Sequence, residues 1–183
     1  MNTMNIFITG ISRGLGLELA NQYAEGGHTV IGISRSAPRG IDPQITCLIG
    51  DVTAPTCETI IRNGIARLHC LDLVINNAGC GSHGSQLDMI DPVELSSQLE
   101  LHCVGVLVVA KATLEKLRNS NSPKIVNVTS RLGSIRKHLR GDFHRRTFNV
   151  VVTSSSDERR RWLNEAKELA ANVFCEKGTQ KQP

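Results

Sequence analysis

Short apolar segments alternate with helical patterns along most of the chain, and this alternation constrains the fold more than any other feature. Each segment is apolar at consecutive positions rather than at every second one, which is typical of strands buried on both faces of a sheet. Parallel strands need long crossovers, and the intervening helical patterns supply them. The sequence therefore predicts an α/β fold, a doubly wound parallel sheet with helices on both faces. The predicted strands are residues 4–10, 28–35, 45–51, 71–79 and 124–130, and the predicted helices are residues 15–23, 57–67 and 92–117.

The composition is that of a globular domain, because 40% of the 183 residues are hydrophobic and 21% are charged. These values exclude low-complexity and disordered classes. The best candidate for a membrane span, residues 103–110, is far shorter than the roughly 18 residues that a span requires. The N-terminus has neither the basic region nor the small-residue cleavage site of a secretory signal. We therefore expect a soluble, cytoplasmic protein without a membrane partner.

Six cysteines occur without any CxxC pair, so neither a zinc ribbon nor a thioredoxin-type site is predicted. In a reducing compartment these cysteines are expected to be thiols. The sequence therefore predicts no metal site.

The positive charge is concentrated in one segment, residues 131–162, which holds nine Lys/Arg against three Asp/Glu. The rest of the chain holds 12 basic and 14 acidic residues. Nucleic-acid binding would call for aromatic side chains among these charges, and the segment contains only Phe143, Phe148 and Trp162. A solvated basic segment is the simpler interpretation, and no nucleic-acid partner is expected.

A glycine-rich turn, TGISRGLG at residues 9–16, joins the first predicted strand to the first predicted helix. Glycines in such a turn let the backbone bend sharply and approach a diphosphate closely. The following helix adds unpaired N–H groups and a partial positive charge directed at the anion. The position of the turn, directly after a strand and opening a helix, therefore predicts a diphosphate-binding site.

The TGxxxGxG spacing of this turn, together with NNAG at residues 76–79, resembles the short-chain dehydrogenase/reductase family. Asp51-Val52 after the third strand and IVNVTS in the fifth extend the resemblance, which covers residues 4 to about 135. It implies a Rossmann-like domain over residues 1–135 that binds a nicotinamide dinucleotide. The remaining residues, 136–183, form a diverged basic segment followed by a predicted amphipathic helix with Trp162, Leu169 and Val173 on one face.

The resemblance also implies roles for individual residues of the cofactor site. Those that shape or line the diphosphate turn are Gly10, Ser12, Gly14, Leu15 and Gly16. Those beside the adenine are Asp51 and Val52, and those at the adenosine ribose are Asn77, Ala78 and Gly79.

The end of the second strand indicates which dinucleotide is preferred. An acidic residue there would bind the ribose hydroxyls and repel a 2′-phosphate. This chain has Ser34 followed by Arg35, and Arg13 lies within the glycine turn. Two guanidinium groups can bind a phosphate with charge-assisted hydrogen bonds. The sequence therefore predicts NADP(H) in preference to NAD(H).

The resemblance implies reduction of carbonyls or oxidation of alcohols by hydride transfer, with a serine, a tyrosine and a lysine four residues after it. Ser130 matches the serine, but Phe143 stands thirteen positions further on, where the tyrosine is expected. The only tyrosine is Tyr23, so no YxxxK motif exists, and His102 occupies the place of an asparagine in the long helix. Ser130 is therefore the one catalytic residue that the resemblance supports.

Three interpretations stay open from the sequence: an NADP(H)-dependent oxidoreductase with an unusual active site, a non-catalytic NADP(H)-binding or interaction protein, and an unstable truncated product. A frameshift, a splice variant or genuine divergence would each explain the change after residue 135. The expected partners are the dinucleotide and, if the chain is active, a small carbonyl or alcohol. The long helix after the fourth strand leaves a homo-oligomer open.

Overall fold

The computed structural model describes residues 3–80, 91–130 and 148–153. These residues form one six-stranded sheet with the strand order β3-β2-β1-β4-β5-β6. Strands β1 to β5 are parallel, and β6 pairs antiparallel with β5. The predicted fold class, a doubly wound parallel sheet of the α/β type, is confirmed. The strands are β1 (Asn5–Thr9), β2 (Thr29–Ser34), β3 (Thr46–Ile49), β4 (Leu73–Asn76), β5 (Lys124–Ser130) and β6 (Phe148–Thr153).

The described helices connect successive parallel strands. They are α1 (Gly14–Glu25), α2 (Cys57–Gly64), α3 (Pro92–Leu99) and α4 (Val106–Arg118), with a π-helical segment, Glu100–Gly105, between the last two. Helix α3 begins where the sequence favours a start, because the Asp91 carboxylate accepts a hydrogen bond from the Val93 N–H at 2.9 Å and Pro92 is the first helical residue. The predicted long helix is therefore present, interrupted by one π-helical segment.

Two apolar clusters cover the two faces of the sheet and explain why the strands are apolar at consecutive positions. Ile6 and Ile8 of β1 pack on one face with Leu19 and Ala20 of α1. Phe7, between them, packs on the other face with residues of α2 and α4. All three β1 side chains are fully buried. A strand in this position has no solvent-facing side, so it cannot show an alternating pattern.

The strand order reverses direction at β1. The chain proceeds from β1 to β2 and β3 on one side of the sheet, and then returns to β4 and β5 on the other side. In open α/β sheets such a reversal leaves a crevice at the carboxyl ends of the strands. The glycine turn after β1 lies at this crevice.

Strand β6 adds an edge strand beyond the five predicted strands. It runs antiparallel to β5, with Ser130 opposite Phe148 and Ile125 opposite Thr153. The other predictions for the tail, including the amphipathic helix near Trp162 and the position of Phe143, lie outside the described residues.

The long helix carries an apolar outer face as well as a buried one. Val109, Ala112 and Leu117 are buried against the sheet, whereas Leu107 and Leu114 are exposed. Pro92–Arg118 is 27 residues long and contains an 18-residue window with a mean hydropathy of 1.4, so by length and composition it would suffice to cross a membrane. The expectation that no segment would span a membrane rested on uninterrupted apolar runs, whereas this window averages apolar and polar residues. Core helices of soluble proteins meet the same criterion, so this one helix is weak evidence for a span.

Candidate functional site

A cavity of about 770 Å³ opens at the carboxyl ends of β1 to β4. Its volume lies within the usual range for ligand sites, roughly 300–1,000 Å³. All the residues predicted to bind the cofactor line it: Gly10, Ser12, Arg13, Gly14, Leu15, Gly16, Arg35, Asp51, Val52, Asn77, Ala78 and Gly79. Their individual roles stay predictions. Lining residues that sequence reasoning did not assign to the site are Ile33, Ser36, Gly50, Thr53, Cys80, Ser97, Glu100 and Leu101.

The glycine turn brings backbone atoms closer together than side chains would permit. Gly10 has a φ of 77°, in the left-handed region that favours glycine. A Cβ on Gly16 would lie 2.3 Å from the Gly10 carbonyl oxygen and equally close to the Asn77 side-chain amide. A Cβ on Gly14, by contrast, would have no atom of the other described residues outside its own helix within 4 Å. The turn is therefore compact on its inner side and open toward the cavity.

The start of α1 is suited to an anion. Arg13 occupies the N-cap position, and no side chain of the described residues caps this helix end. The first turn of α1 contains no acidic residue. Uncapped N–H groups and the helix dipole together favour a negatively charged ligand at this point. The arrangement thus fits the diphosphate of a dinucleotide.

The ends of β1 and β4 are joined through Thr9 and Asn77. The buried Thr9 hydroxyl oxygen accepts hydrogen bonds from the backbone N–H groups of Asn77 and Ala78, at 3.0 and 2.9 Å. The Asn77 amide nitrogen donates to the carbonyl oxygens of Thr9 and Gly10, at 3.1 and 3.2 Å. These four bonds fix the two sides of the cleft relative to each other.

Replacing Thr9 with valine is expected to lower the free energy of unfolding by about 2 kcal/mol, because two partly buried N–H groups lose their acceptor. The Thr9→Ser variant keeps the hydroxyl oxygen and removes one methyl group, so its expected loss is about 0.8 kcal/mol. Urea unfolding of both variants and the parent chain measures the difference. Equal losses in the two variants would contradict the role assigned to the hydroxyl.

Two arginines flank the cleft, and no carboxylate among the described residues forms an ion pair with either. Ser34 ends β2, is 5% exposed and donates its hydroxyl hydrogen to the Ser36 carbonyl oxygen at 2.8 Å. Arg35 follows it and is exposed, as is Arg13. The one ion pair within the described ranges joins Arg62 to Glu58, away from the cleft. Arg13 and Arg35 are therefore available to an anionic ligand.

Asp51 is held in place at the far side of the cleft, after β3. Its Oδ1 atom accepts hydrogen bonds from the Thr53 N–H at 3.0 Å and from the Thr53 hydroxyl at 2.8 Å. The Asp51 charge also affects a neighbouring thiol. Burial, and secondly this negative charge, raise the pKa of Cys57.

The raised pKa predicts that Cys57 resists alkylation in the folded chain, because the thiolate is the reactive form. Cys80 and Cys103 are exposed and should react first. Because folding raises the pKa of Cys57, its protonated thiol contributes to the free energy of unfolding below the pKa of the unfolded thiol. This contribution is lost as the pH rises through the pKa of Cys57 in the folded chain. The rate of Cys57 alkylation is measured by iodoacetamide pulses at neutral pH, with and without urea, followed by mass spectrometry of the individual peptides. Rapid labelling of Cys57 without urea would contradict it.

The structure describes only some of the residues that the family resemblance connects with catalysis. Ser130 ends β5, at the same edge of the sheet as the cleft, and its catalytic role stays a prediction. His102 lies in the π-helical segment, with its Nε2 atom 3.2 Å from the Cys80 carbonyl oxygen. Phe143, which stands at the tyrosine position by spacing, lies outside the described residues.

Comparison with known proteins gives one family. Residues 4–141 match the family model described as short chain dehydrogenase. The chain is 34% identical over 131 residues to 3-ketodihydrosphingosine reductase of Bacteroides thetaiotaomicron, covering 71% of this chain and 48% of that protein. It is 34% identical over 142 residues to oxidoreductase BOA17 of Botryotinia fuckeliana, covering 70% and 50%. A short-chain dehydrogenase structure from Streptomyces avermitilis superposes with a TM-score of 0.63 at 27% identity, covering 71% and 50%. The chain thus spans about half the length of these relatives.

Proposed function

Because this chain belongs to the short-chain dehydrogenase family, we propose that it is an oxidoreductase of the carbonyl and alcohol type that binds NADP(H) in preference to NAD(H). Nucleotide binding is the part of this function that the described residues support. The sequence has no YxxxK pair, so the second candidate is an NADP(H)-binding protein that does not turn substrate over.

The preference for NADP(H) rests on the charge at the end of β2. Ser34 stands where an acidic residue would repel a 2′-phosphate, and its hydroxyl is already engaged with Ser36. Arg35 and Arg13 line the same cavity and have no ion-pair partner among the described residues. Their planar guanidinium groups suit the geometry of a phosphate. These two arginines on the wall of the cavity are the observation that carries the proposal.

The remaining parts of the dinucleotide have complementary surroundings. The uncapped start of α1 suits the diphosphate, and Asp51, held by Thr53, suits a hydrogen-bond donor such as the adenine amino group. Bound NADPH would supply the hydride, and the protein would position it. The substrate class proposed from the family is a small carbonyl or alcohol.

A thermal melt of the full chain with saturating NADPH or NADH tests the proposal. A ligand at about 100 times its Kd stabilises a protein by roughly 2.7 kcal/mol. For a chain of this length we expect NADPH to raise Tm by roughly 5–10 °C. NADH should give a clearly smaller shift. No shift with either nucleotide would overturn nucleotide binding, and equal shifts would overturn the preference.

Replacing Arg35 with alanine is expected to weaken NADPH binding about 10- to 100-fold, because a charge-assisted hydrogen bond to the 2′-phosphate is lost. NADH binding should be unchanged. Arg13→Ala should weaken NADPH binding and spare NADH binding in the same way. Arg39→Ala is the matched control, because Arg39 is exposed and does not line the cavity. Isothermal titration of the variants with both nucleotides measures the effect. An equal loss for NADPH and NADH would contradict a role at the 2′-phosphate.

A cytoplasmic location is proposed with this function. Such a compartment is reducing, so we expect the five cysteines within the described ranges to be thiols there.

A further inference from the structure

The crossover between β2 and β3 contains no helix. Residues 35–45, all of which the structure describes, join these two parallel strands as a loop. Crossovers between parallel strands usually contain an α-helix that packs on the sheet. Arg35 and Ser36, the first two residues of this loop, line the cavity. The side chain proposed to bind the 2′-phosphate is therefore carried by a loop, whose position depends on the contacts that the loop makes.

Helix α1 provides an anchor for this loop. The Asn21 side-chain amide donates a hydrogen bond from Nδ2 to the Gly40 carbonyl oxygen at 3.0 Å, and its Oδ1 atom accepts one from the Asp42 N–H at 2.9 Å. One amide thus satisfies both an acceptor and a donor of the loop backbone. Between these two residues, Ile41 packs against the apolar cluster that contains Leu19 of α1. We call this arrangement the Asn21 clamp.

The end of the loop beyond the clamp is ordered by Asp42. Its Oδ1 atom accepts a hydrogen bond from the Gln44 N–H at 2.8 Å. Its carbonyl oxygen accepts another from the Ile45 N–H at 3.0 Å. These bonds turn the chain into β3, which begins at Thr46. The clamp therefore ties an ordered turn, rather than a single residue, to α1.

A stiff segment connects the clamp to Arg35. Four residues, 36–39, separate Arg35 from Gly40, and one of them is Pro38. Proline fixes its own φ near −65°, and the residue before it is restricted to extended conformations. A displacement of the loop at Gly40 is therefore transmitted to Arg35 rather than absorbed between the two residues.

Helix α1 thereby connects two parts of the anion site. Its uncapped first turn begins at Gly14, beside Arg13, and Asn21 lies about two turns further along the same helix. The seven residues from Gly14 to Asn21 span roughly 10 Å of α-helix. The helix that presents the diphosphate site therefore also sets the position of the loop that carries Arg35.

We propose that Asn21 is a positioning residue for the cofactor preference: by holding the loop at Gly40 and Asp42, it places the Arg35 guanidinium for the 2′-phosphate of NADP(H). This rests on the proposed function. Asn21 does not line the cavity, so it acts through the loop and not by contact with the dinucleotide. Its removal impairs recognition of the 2′-phosphate and leaves the rest of the dinucleotide site in place.

In Asn21→Ala we expect NADPH binding to weaken about three- to tenfold, the usual effect of lost hydrogen bonding. The loss should be smaller than in Arg35→Ala, because the guanidinium is still present. NADH has no 2′-phosphate and should bind as it does to the parent chain. Isothermal titration with both nucleotides, at one fixed pH and salt concentration, measures these affinities, and melts of the free proteins confirm folding.

Asn119→Ala is the matched control for the loss of an asparagine amide. The exposed Asn119 donates from Nδ2 to the His69 carbonyl oxygen at 3.1 Å. These two residues precede β5 and β4, at the edge of the sheet opposite the cleft. Both nucleotides should therefore bind to this variant as they do to the parent chain. Selective weakening of NADPH binding in this control as well would overturn the role assigned to Asn21.

A double-mutant cycle shows whether the clamp acts through Arg35. If it does, Asn21→Ala adds little to the loss already caused by Arg35→Ala, because no guanidinium remains to be positioned. Additive losses would overturn the proposal, as would unchanged NADPH binding in Asn21→Ala or equal losses for NADPH and NADH. If the parent chain binds neither nucleotide, or binds both equally, the proposed function itself fails, which is a distinguishable result.

Two glycine substitutions test the clamp from the loop side, independently of the stability of Asn21→Ala. Gly40 has a φ of 74° and Gly27 a φ of 79°. A Cβ on either would have no atom of the other described residues, its chain neighbours aside, within 4 Å. Gly40→Ala strains the backbone at the clamp, whereas Gly27→Ala applies the same strain between α1 and β2, away from the loop. Only Gly40→Ala should weaken NADPH binding selectively. Selective weakening by both substitutions, or by neither, would count against the proposal.

Discussion

Replacing Gly16 with alanine is expected to abolish detectable dinucleotide binding and to lower the free energy of unfolding by about 3 kcal/mol, the upper part of the usual range for overpacking. In an ordinary helix this change would stabilise by about 1 kcal/mol. Here the added Cβ would lie 2.3 Å from the Gly10 carbonyl oxygen, a backbone atom that cannot move without opening the turn. The turn that receives the diphosphate would therefore change shape.

A thermal melt with and without NADPH measures both effects. The expected loss corresponds to a fall in Tm of roughly 6–12 °C for a chain of this length. Gly64→Ala is the matched control in a helix, because the three atoms nearest its added Cβ all belong to the Leu48 side chain, which can rotate away. This control should retain the NADPH-dependent shift. A Gly16→Ala variant that binds NADPH as the parent does would show that the turn tolerates expansion.

Turnover of NADPH with carbonyl substrates is expected to be about 10²–10⁴-fold slower than in a relative with a complete active site, the contribution typical of general acid–base catalysis. The physical reason is the missing proton donor. Phe143 has no ionisable group, and Thr147 stands four residues later, where the lysine would be. The measurement is the loss of NADPH absorbance with a panel of carbonyl compounds, with the Bacteroides reductase as the positive control.

The Phe143→Tyr variant tests whether the missing tyrosine alone explains the slow turnover. The variant still has Thr147 where the lysine of the YxxxK motif would stand, and a tyrosine without that lysine keeps a pKa of about 10 and donates its proton poorly at neutral pH. We therefore expect no recovery of turnover from this single change. A rate near that of the Bacteroides reductase, in the parent chain or in this variant, would mean that another residue supplies the proton.

The sequence was sufficient to predict the parallel sheet and the turn, because both depend on local features. Consecutive apolar residues such as Ile6, Phe7 and Ile8 have few alternatives to a doubly covered strand, and glycines such as Gly10 and Gly16 stand where no Cβ fits. The direction of β6 could not be predicted, since an apolar run gives no information on which way its partner runs.

The residues that line the helical side of the cleft could not be predicted from the sequence either. Ser97, Glu100 and Leu101 line the cavity because the crossover after β4 brings their helix beside Val52, so close that a Cβ on Gly105 would lie 3.1 Å from it. The π-helical segment has an unremarkable sequence, ELHCVG. The one available signal was His102, which stands at a position where the family resemblance implies an asparagine.

The antiparallel direction of β6 has a practical consequence. Because Thr153 lies opposite Ile125, the chain leaves the sheet at the edge where β1 begins, near Asn5. The carboxyl ends of β1 to β4, which form the cleft, lie at the opposite edge. A chemical handle introduced at Thr3 or at Thr153 would therefore lie away from the nucleotide cleft. Immobilised on a sensor surface through either handle, the protein would present its cleft to the flowing solution.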